Sequence, residues 1–155
     1  MKALVIVPLY NASRFINECL TSILSQGVEV RLIVVNDKST DSSKTVVSKF
    51  KDVELLSNDK NMGTYYSINR ALKHAEPDPT WTHYLIHGAD DISLSSRFIK
   101  QLSSFTQNTL AVGCGFNRVD FISKKIVSSN TKTNESVLLF SRKVIDLIGY
   151  CTSRL

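Results

Sequence analysis

Trp81-Thr82-His83-Tyr84-Leu85-Ile86-His87-Gly88-Ala89-Asp90-Asp91 is the stretch that decides how this chain reads. It follows a break at Pro77-Asp78-Pro79, begins as an apolar, β-rich run and ends on two adjacent carboxylates. A short buried strand here delivers Asp90 and Asp91 to one edge of a sheet. Carboxylates are hard oxygen ligands, suited to Mg²⁺ or Mn²⁺ with a phosphate completing the shell. The alternative is a helix N-terminus, where Asp offsets the macrodipole and caps free N–H groups.

Two further strand–loop units upstream bear on that choice. Residues 3–8 are continuously apolar, as in a strand covered on both faces, and lead into the turn Pro8-Leu9-Tyr10-Asn11. Phe15, Ile16, Cys19, Leu20, Ile23 and Leu24 then recur at helical spacing, with Asn11 or Ser13 as the expected cap and Gly27 as the stop. Residues 30–35 form a second strand before the polar loop Asn36-Asp37-Lys38-Ser39-Thr40-Asp41, whose last residue can cap a short helix through Val46, Val47 and Phe50. Residues 53–56 are a third strand and 58–63 a loop; Tyr65, Ile68, Leu72 and Ala75 mark a third helix.

After the acidic pair, residues 97–105 repeat Phe98, Ile99, Leu102 and Phe105 on one helical face. Strand alternates with helix four times, which predicts right-handed βαβ units and a mainly parallel sheet. From residue 111 the pattern changes. Residues 111–116, 119–122 and 126–128 read as short strands with hairpin turns, 136–141 as a strand, and 142–148 as a helix stopped by Gly149. The expectation is an α/β three-layer α/β/α sandwich with a mainly parallel central sheet and a mixed edge, one domain over residues 1–155.

Composition narrows the classes. At 155 residues, 43% hydrophobic and 21% charged, the chain has the balance of a globular domain with one core. Its apolar runs are far short of the roughly 20 residues that span a bilayer, and the first residues lack a signal-peptide pattern. A cytoplasmic location is expected, with peripheral attachment to a membrane left open. The net charge of +5 is spread along the chain; its densest point, Lys124-Lys125, falls in an expected hairpin turn. Aromatics do not interleave with a basic stripe, so nucleic acid is not an expected partner.

Cys19, Cys114 and Cys151 have no metal-ligand spacing, and Cys19 lies on an apolar helix face, so reduced thiols are expected. His83 and His87 alternate along a strand without a third ligand and read as core or interface residues. His74 sits near a helix C-terminus, where the dipole suffices to explain it. No Gly-x-Gly-x-x-Gly follows the first strand, and no phosphate loop is present. A phospho-acceptor receiver domain would place its acidic pair after that first strand, where this chain has Pro-Leu-Tyr-Asn.

In an open α/β sheet, ligands collect at the carboxyl ends of the strands. Three polar loops leave strand ends here: 8–11, 36–41 and 88–91. Tyr10 can stack on a planar base, Asp37 can accept from a base imide or ribose hydroxyl, and Asp90 can hold a cation bridging two phosphates. Taken singly, each has a plainer role in a turn or cap.

The ordered set Val5-Ile6-Val7-Pro8-Leu9-Tyr10-Asn11, Val34-Val35-Asn36-Asp37-Lys38-Ser39-Thr40-Asp41, Asn61-Met62-Gly63 and Ala89-Asp90-Asp91 resembles the family 2 glycosyltransferases. The resemblance runs from about residue 3 to about residue 150. It implies a GT-A fold, inverting transfer, a nucleotide-sugar donor, most often a UDP-sugar, and Mn²⁺ or Mg²⁺. By the same resemblance Pro8, Tyr10 and Asn11 line the nucleobase, Asp37 reads it, Gly63 turns beside the nucleoside, Ala89 is counted with the nucleotide-binding residues, and Asp91 lies close to the diphosphate. Asp90 would be the metal ligand, with Asp91 next to it. The first acid of the usual Asp-x-Asp falls on Gly88. The family's general base is expected beyond Leu155, so donor binding is better supported than turnover. The acceptor, a glycan, lipid or protein hydroxyl, is not given by the sequence. A nucleotide-sugar-binding module without turnover, and an interaction domain that keeps the fold alone, are the alternatives.

Overall fold

The structure is a computed structural model that describes residues 2–120, 122–130 and 137–151. Four parallel strands form its centre: β1 (Lys2–Leu9), β2 (Val30–Asn36), β3 (Val53–Ser57) and β4 (Trp81–Ile86). Helices α1 (Ile16–Leu24), α2 (Ser43–Val47) and α3 (Thr64–Ala75) connect them, and α4 (Arg97–Ser103) follows β4. The sheet continues through β8 (Leu139–Ser141), antiparallel to β4, to β5 (Ala111–Val112), giving the order β3-β2-β1-β4-β8-β5. A separate hairpin pairs β6 (Phe116–Val119) with β7 (Ile126–Asn130), and α5 (Lys143–Ile148) ends the described fold.

The continuous apolar runs of β1 and β2 are explained by two cores. Val5, Val7, Leu9, Leu32 and Val34 pack on one face with Ile16, Cys19, Leu20 and Ile23 of α1 and with Phe98 and Leu102 of α4. Leu4, Ile6, Ile33 and Val35 pack on the other with Ile68, Ala71, Leu72 and Ala75 of α3, beside Trp81 and Tyr84. Period-2 alternation along the strands thus meets period-3.6 stripes on helices of both layers. This is the expected three-layer architecture with a mainly parallel, mixed-edge sheet.

β1 is the pivot. The chain crosses from it to β2 and β3 on one side, then returns to β4 on the other, so the topological switch point lies between β1 and β4. Pro8 helps to open it. The Leu9 carbonyl accepts the Asp37 N–H and the Ile6 carbonyl accepts the His87 N–H, both at 2.8 Å, so alternate residues of β1 face β2 and β4. Pro8, two residues after Ile6, turns its missing N–H toward β4 just where that ladder stops at Ile6–Ile86, while pairing with β2 runs on to Leu9–Asn36.

Several sequence expectations need correcting. Neither Asn11 nor Ser13 caps α1: the helix opens through Phe15 and Ile16 N–H bonds to the Ala12 carbonyl, without a side-chain cap. Asn11, at φ 49°, is turned toward the β2–α2 loop instead. The strand expected over 111–116 is only Ala111–Val112; of 119–122, Val119 is the end of β6, Ile122 lies in a turn, and Phe121 lies outside the described residues. Asp120 dictates that turn, accepting the Ser123 N–H at 2.7 Å and exchanging backbone bonds with Lys124 and Lys125. Of the expected strand over 136–141, Ser136 lies outside the described residues, and the paired portion is Leu139–Ser141.

Candidate active site at the β1/β4 switch point

The three polar loops named from the sequence leave β1, β2 and β4 at the same end of adjacent parallel strands. Two of them are stapled together. Asn11 Oδ1 accepts the Thr40 N–H at 2.8 Å and the Asn11 N–H donates to Ser39 Oγ at 3.1 Å. The Ala12 N–H donates to Ser43 Oγ at 2.9 Å, and the Ser13 N–H to Asp41 Oδ2 at 3.0 Å. Desolvation works against ionising Asp41, but bonds from Ser43 and Ser13 outweigh it and bring its pKa down to about 2. Tyr10, 50% exposed, stands on this braced turn with its ring accessible to a ligand.

Asp37 is buried, and its carboxylate is an organising centre. Oδ1 accepts the Asn58 side-chain amide at 2.6 Å and the Met62 N–H at 2.8 Å; Oδ2 accepts the Gly63 N–H at 2.8 Å. Asn58 also donates to Ser67 Oγ at 3.0 Å and accepts from Arg70, whose guanidinium reaches the Ser57 carbonyl at 2.7 Å. The end of β2, the loop after β3 and the start of α3 therefore form one wall. Gly63 is needed there because φ is +87°, a region that side chains disfavour. The sequence singled out Asp37 and Gly63 but missed Asn58, Ser67 and Arg70. Their spacing carries no periodic signal.

The acidic turn rests on a buried polar floor. The Gly88 carbonyl accepts from His87 Nδ1 at 2.8 Å, from Cys19 Sγ at 3.4 Å and from the Asp91 N–H at 3.2 Å. A carbonyl can only accept, so His87 carries its proton on Nδ1, and Ser93 Oγ donates to Nε2 at 2.9 Å. Arg97 in turn donates to Ser93 Oγ at 3.1 Å. Burial lowers the His87 pKa to about 4, helped by Arg97 and offset in part by the Gly88 carbonyl and Asp90, so the ring is neutral at pH 7. The Cys19 thiol is pushed up by burial and by Asp91 and Asp90, and it is inert.

Gln26 completes the floor. Its amide donates to the carbonyls of Ser22, Ser93 and Leu94 at 2.9, 3.1 and 3.0 Å, and its Oε1 accepts the Phe98 N–H at 3.1 Å. That last bond caps α4, which begins after Ser96 without a side-chain cap of its own. Asp90 and Asp91 lie well before α4, so the helix-cap alternative for them is excluded. Sequence reading missed Gln26 and Ser93 because their partners lie about 70 positions away.

Whether this turn suits a divalent ion can be judged at Gly88. A Cβ built there would meet Asp91 Oδ2 at 2.6 Å and Asp90 Oδ1 at 3.1 Å. Two exposed carboxylate oxygens thus converge on the space above one glycine, a donor set of the hard type that Mn²⁺ or Mg²⁺ takes. Among the described residues no group of three His, Cys, Asp or Glu side chains is placed to hold a metal. The pair fits a cation shared with phosphate oxygens, the usual arrangement for Mg²⁺. Ala89 is buried in the core beneath the turn.

The remaining singled-out residues have structural roles. His83 lies edge-on to Phe105 with centroids 4.3 Å apart, and its pKa is lowered by burial. His74 does more than sit at a dipole: its Nε2 meets Glu54 Oε2 at 3.0 Å, in a cluster with Arg31. Cys19, Cys114 and Cys151 form no disulfide among the described residues. Lys124-Lys125 occupies the β6–β7 turn, with Lys124 3.8 Å from Glu18 in solvent. No helix among the described residues is long and apolar enough to cross a membrane.

Comparison with known proteins adds to this geometry. The model of the family described as Glycosyl transferase family 2 matches residues 4–152. An uncharacterised glycosyltransferase of Haemophilus influenzae is 29% identical over 143 residues, 87% of this chain and 56% of its own length. The crystal structure of S. aureus TarS 1-349 in complex with UDP-GlcNAc shares 30% identity over 67% of this chain and 30% of that one, with a TM-score of 0.58. The mannosyltransferase PcManGT from Pyrobaculum calidifontis, in complex with GDP-Man and Mn²⁺, superposes over 96% of this chain and 46% of its own. Its TM-score is 0.76 at 22% identity, a likeness of fold. The chain spans little more than half the length of the Haemophilus influenzae relative and less of the two solved structures.

Proposed function

The chain belongs to glycosyl transferase family 2, and on that premise we propose that its β1/β4 crevice binds a nucleoside-diphosphate sugar for transfer to an acceptor hydroxyl with inversion. A UDP-sugar is the favoured donor. The observation that carries this reading is the convergence of Asp90 Oδ1 and Asp91 Oδ2 above Gly88, at the sheet's switch point and beside the turn bearing Tyr10. The TarS complex with UDP-GlcNAc supports the donor class, and the PcManGT complex supports a divalent ion in the same fold.

Each residue then has a task. Tyr10 presents an aromatic face to the base, while Pro8 keeps β4 from closing the crevice and Asn11 braces the turn. Asp37 shapes the nucleoside wall through Met62 and Gly63. Asp90 and Asp91 would hold Mn²⁺ or Mg²⁺ against the diphosphate. When bound, the ion offsets the charge that builds on the leaving diphosphate. Gln26 and His87 keep the acidic turn rigid and neutral beneath, and the buried floor keeps water from its underside. No described residue is assigned the role of the base that deprotonates the acceptor. Donor binding is therefore the part of the reaction to test on these residues.

The test is calorimetric titration with UDP, GDP and CMP, each with and without Mn²⁺. Metal-dependent binding of one nucleotide supports the reading and identifies the donor class. No binding of any would favour a domain that keeps the fold for interaction alone.

A further inference from the structure

The β6–β7 hairpin stands apart from the main sheet, and every described residue from Asn117 to Asn130 is exposed. A two-stranded ribbon of this kind is marginal on its own in water. Its root holds it in place. The buried Gln101 amide donates to the Val112 and Val137 carbonyls at 2.8 Å each, pinning the chain where it leaves the sheet and where it returns. At the other end Lys124 lies 3.8 Å from Glu18, in the first turn of α1. The tip therefore projects at the end of the sheet that holds the crevice.

Apolar groups are concentrated at that tip. Val119, Ile122, Ile126 and Val127 are 51, 90, 60 and 65% exposed, and Ile122 is the most exposed large apolar side chain among the described residues. The stem is polar, with Asn117 opposite Ser129 and Arg118 opposite Ser128. A protein that pairs with a strand or covers one face of a ribbon needs apolar positions along its length, not at its end alone.

Charge is concentrated in the same place. From residue 116 to 130, Arg118, Lys124 and Lys125 stand against one acid, Asp120, a net +2 within 15 residues of a chain whose net charge is +5. Asp120 is occupied within its own turn, accepting the Ser123 N–H at 2.7 Å. Lys124 is engaged with Glu18, so Arg118 and Lys125 carry the argument, and both are exposed. A second copy of the hairpin would bring like charges together.

We propose that the tip of this hairpin docks on an anionic lipid surface. Ile122, flanked by Val119, Ile126 and Val127, enters the boundary between headgroups and acyl chains, while Arg118 and Lys125 meet the lipid phosphates. Burial of an apolar surface by about 5–10 Å and attraction to anionic headgroups are the two contributions that hold a protein at a bilayer interface. This goes beyond the donor site and does not depend on it.

The experiment is co-sedimentation of the 155-residue chain with vesicles of phosphatidylcholine alone and of phosphatidylcholine with phosphatidylglycerol, at low and high salt. Ile122→Ser and Lys125→Gln are compared with Leu147→Ser, which alters an exposed apolar side chain outside the hairpin, and each protein is melted. The chain should bind the anionic vesicles and leave them in high salt, where surface charge is screened. Ile122→Ser should weaken binding about tenfold or more, Lys125→Gln about fivefold, and Leu147→Ser not at all. All three should keep the parent Tm, as substitutions of exposed side chains do. Absence of vesicle binding, or equal binding to both vesicle types, overturns the proposal. So does binding as tight as the parent's in either hairpin variant, or a loss in Leu147→Ser that matches the loss in Ile122→Ser. A lower Tm in Ile122→Ser, or a dimer in sedimentation equilibrium that this substitution disperses, also overturns it, because protein then covers the tip. Mn²⁺–UDP titration of the same variants should be unaffected, so failure here leaves the donor site standing.

Discussion

Asp37 Oδ2 accepts the Gly63 N–H across 2.8 Å, tying the last turn of sheet after β2 to the first turn of α3. With Met62 and Asn58 on the other oxygen, one buried carboxylate satisfies three donors drawn from 21 to 26 positions away. Removing it takes one acceptor from the buried Asn58 amide, which keeps Ser67, and one from the Met62 N–H, while the Gly63 N–H keeps Asn61 Oδ1 at 3.2 Å; an unpaired donor costs about 1–3 kcal/mol where water does not reach it. Asp37→Ala should therefore lose about 1–3 kcal/mol in urea unfolding. A loss below about 1 kcal/mol would show that the loop holds without it. Reduced nucleotide affinity in this variant is then expected for a structural reason as well.

Tyr10 is the cleaner probe of the base. It is half exposed on a turn whose hydrogen bonds come from Asn11, Ser39 and Thr40, so its ring can be removed without loosening the turn. Aromatic–base stacking is worth about 1–3 kcal/mol. Tyr10→Ala should weaken UDP binding by roughly 5- to 150-fold with an unchanged Tm, and Tyr10→Phe should retain it. Equal affinities for all three proteins would remove Tyr10 from the site.

His87 sets a pH dependence with a definite sign. Its folded-state pKa is about 4, below its ordinary 6.5, chiefly because it is buried. As pH falls, the unfolded chain takes up the proton first, so this contribution is complete above about pH 6.5 and is lost on the way down to about 4. The loss amounts to roughly 3 kcal/mol. His83, also lowered by burial, adds a smaller change of the same sign. Urea unfolding at pH 7.5 and 4.5 should show a steep fall that flattens in His87→Gln. An equal slope in both proteins would mean that His87 is protonated in the fold.

The alternation of four strands with helices was legible because β1, β2 and β4 are buried on both faces and the helices carry clear stripes. The carboxyl-end loops followed from that topology, and with them the residues at the switch point. The hairpin was misplaced because β7 is fully exposed and β6 nearly so, leaving Asn117, Arg118, Ser128 and Ser129 without a periodic signal. Gln26, Asn58 and Ser93 escaped notice because their hydrogen bonds join distant segments. Gly88 reads from sequence as a missing acid, and its closeness to Asp91 Oδ2, where a Cβ would stand 2.6 Å away, has no sequence signal.

The most direct test of the central claim is the Mn²⁺-dependent gain in UDP affinity, measured by calorimetry for the unsubstituted chain and for Asp90→Ala, with a thermal melt of each. Asp90 is exposed and caps no helix, so the variant should keep its Tm within about 2 °C and lose the metal-dependent gain entirely. A gain of the same size in both proteins would contradict the assignment of Asp90 as the metal anchor at the β1/β4 crevice.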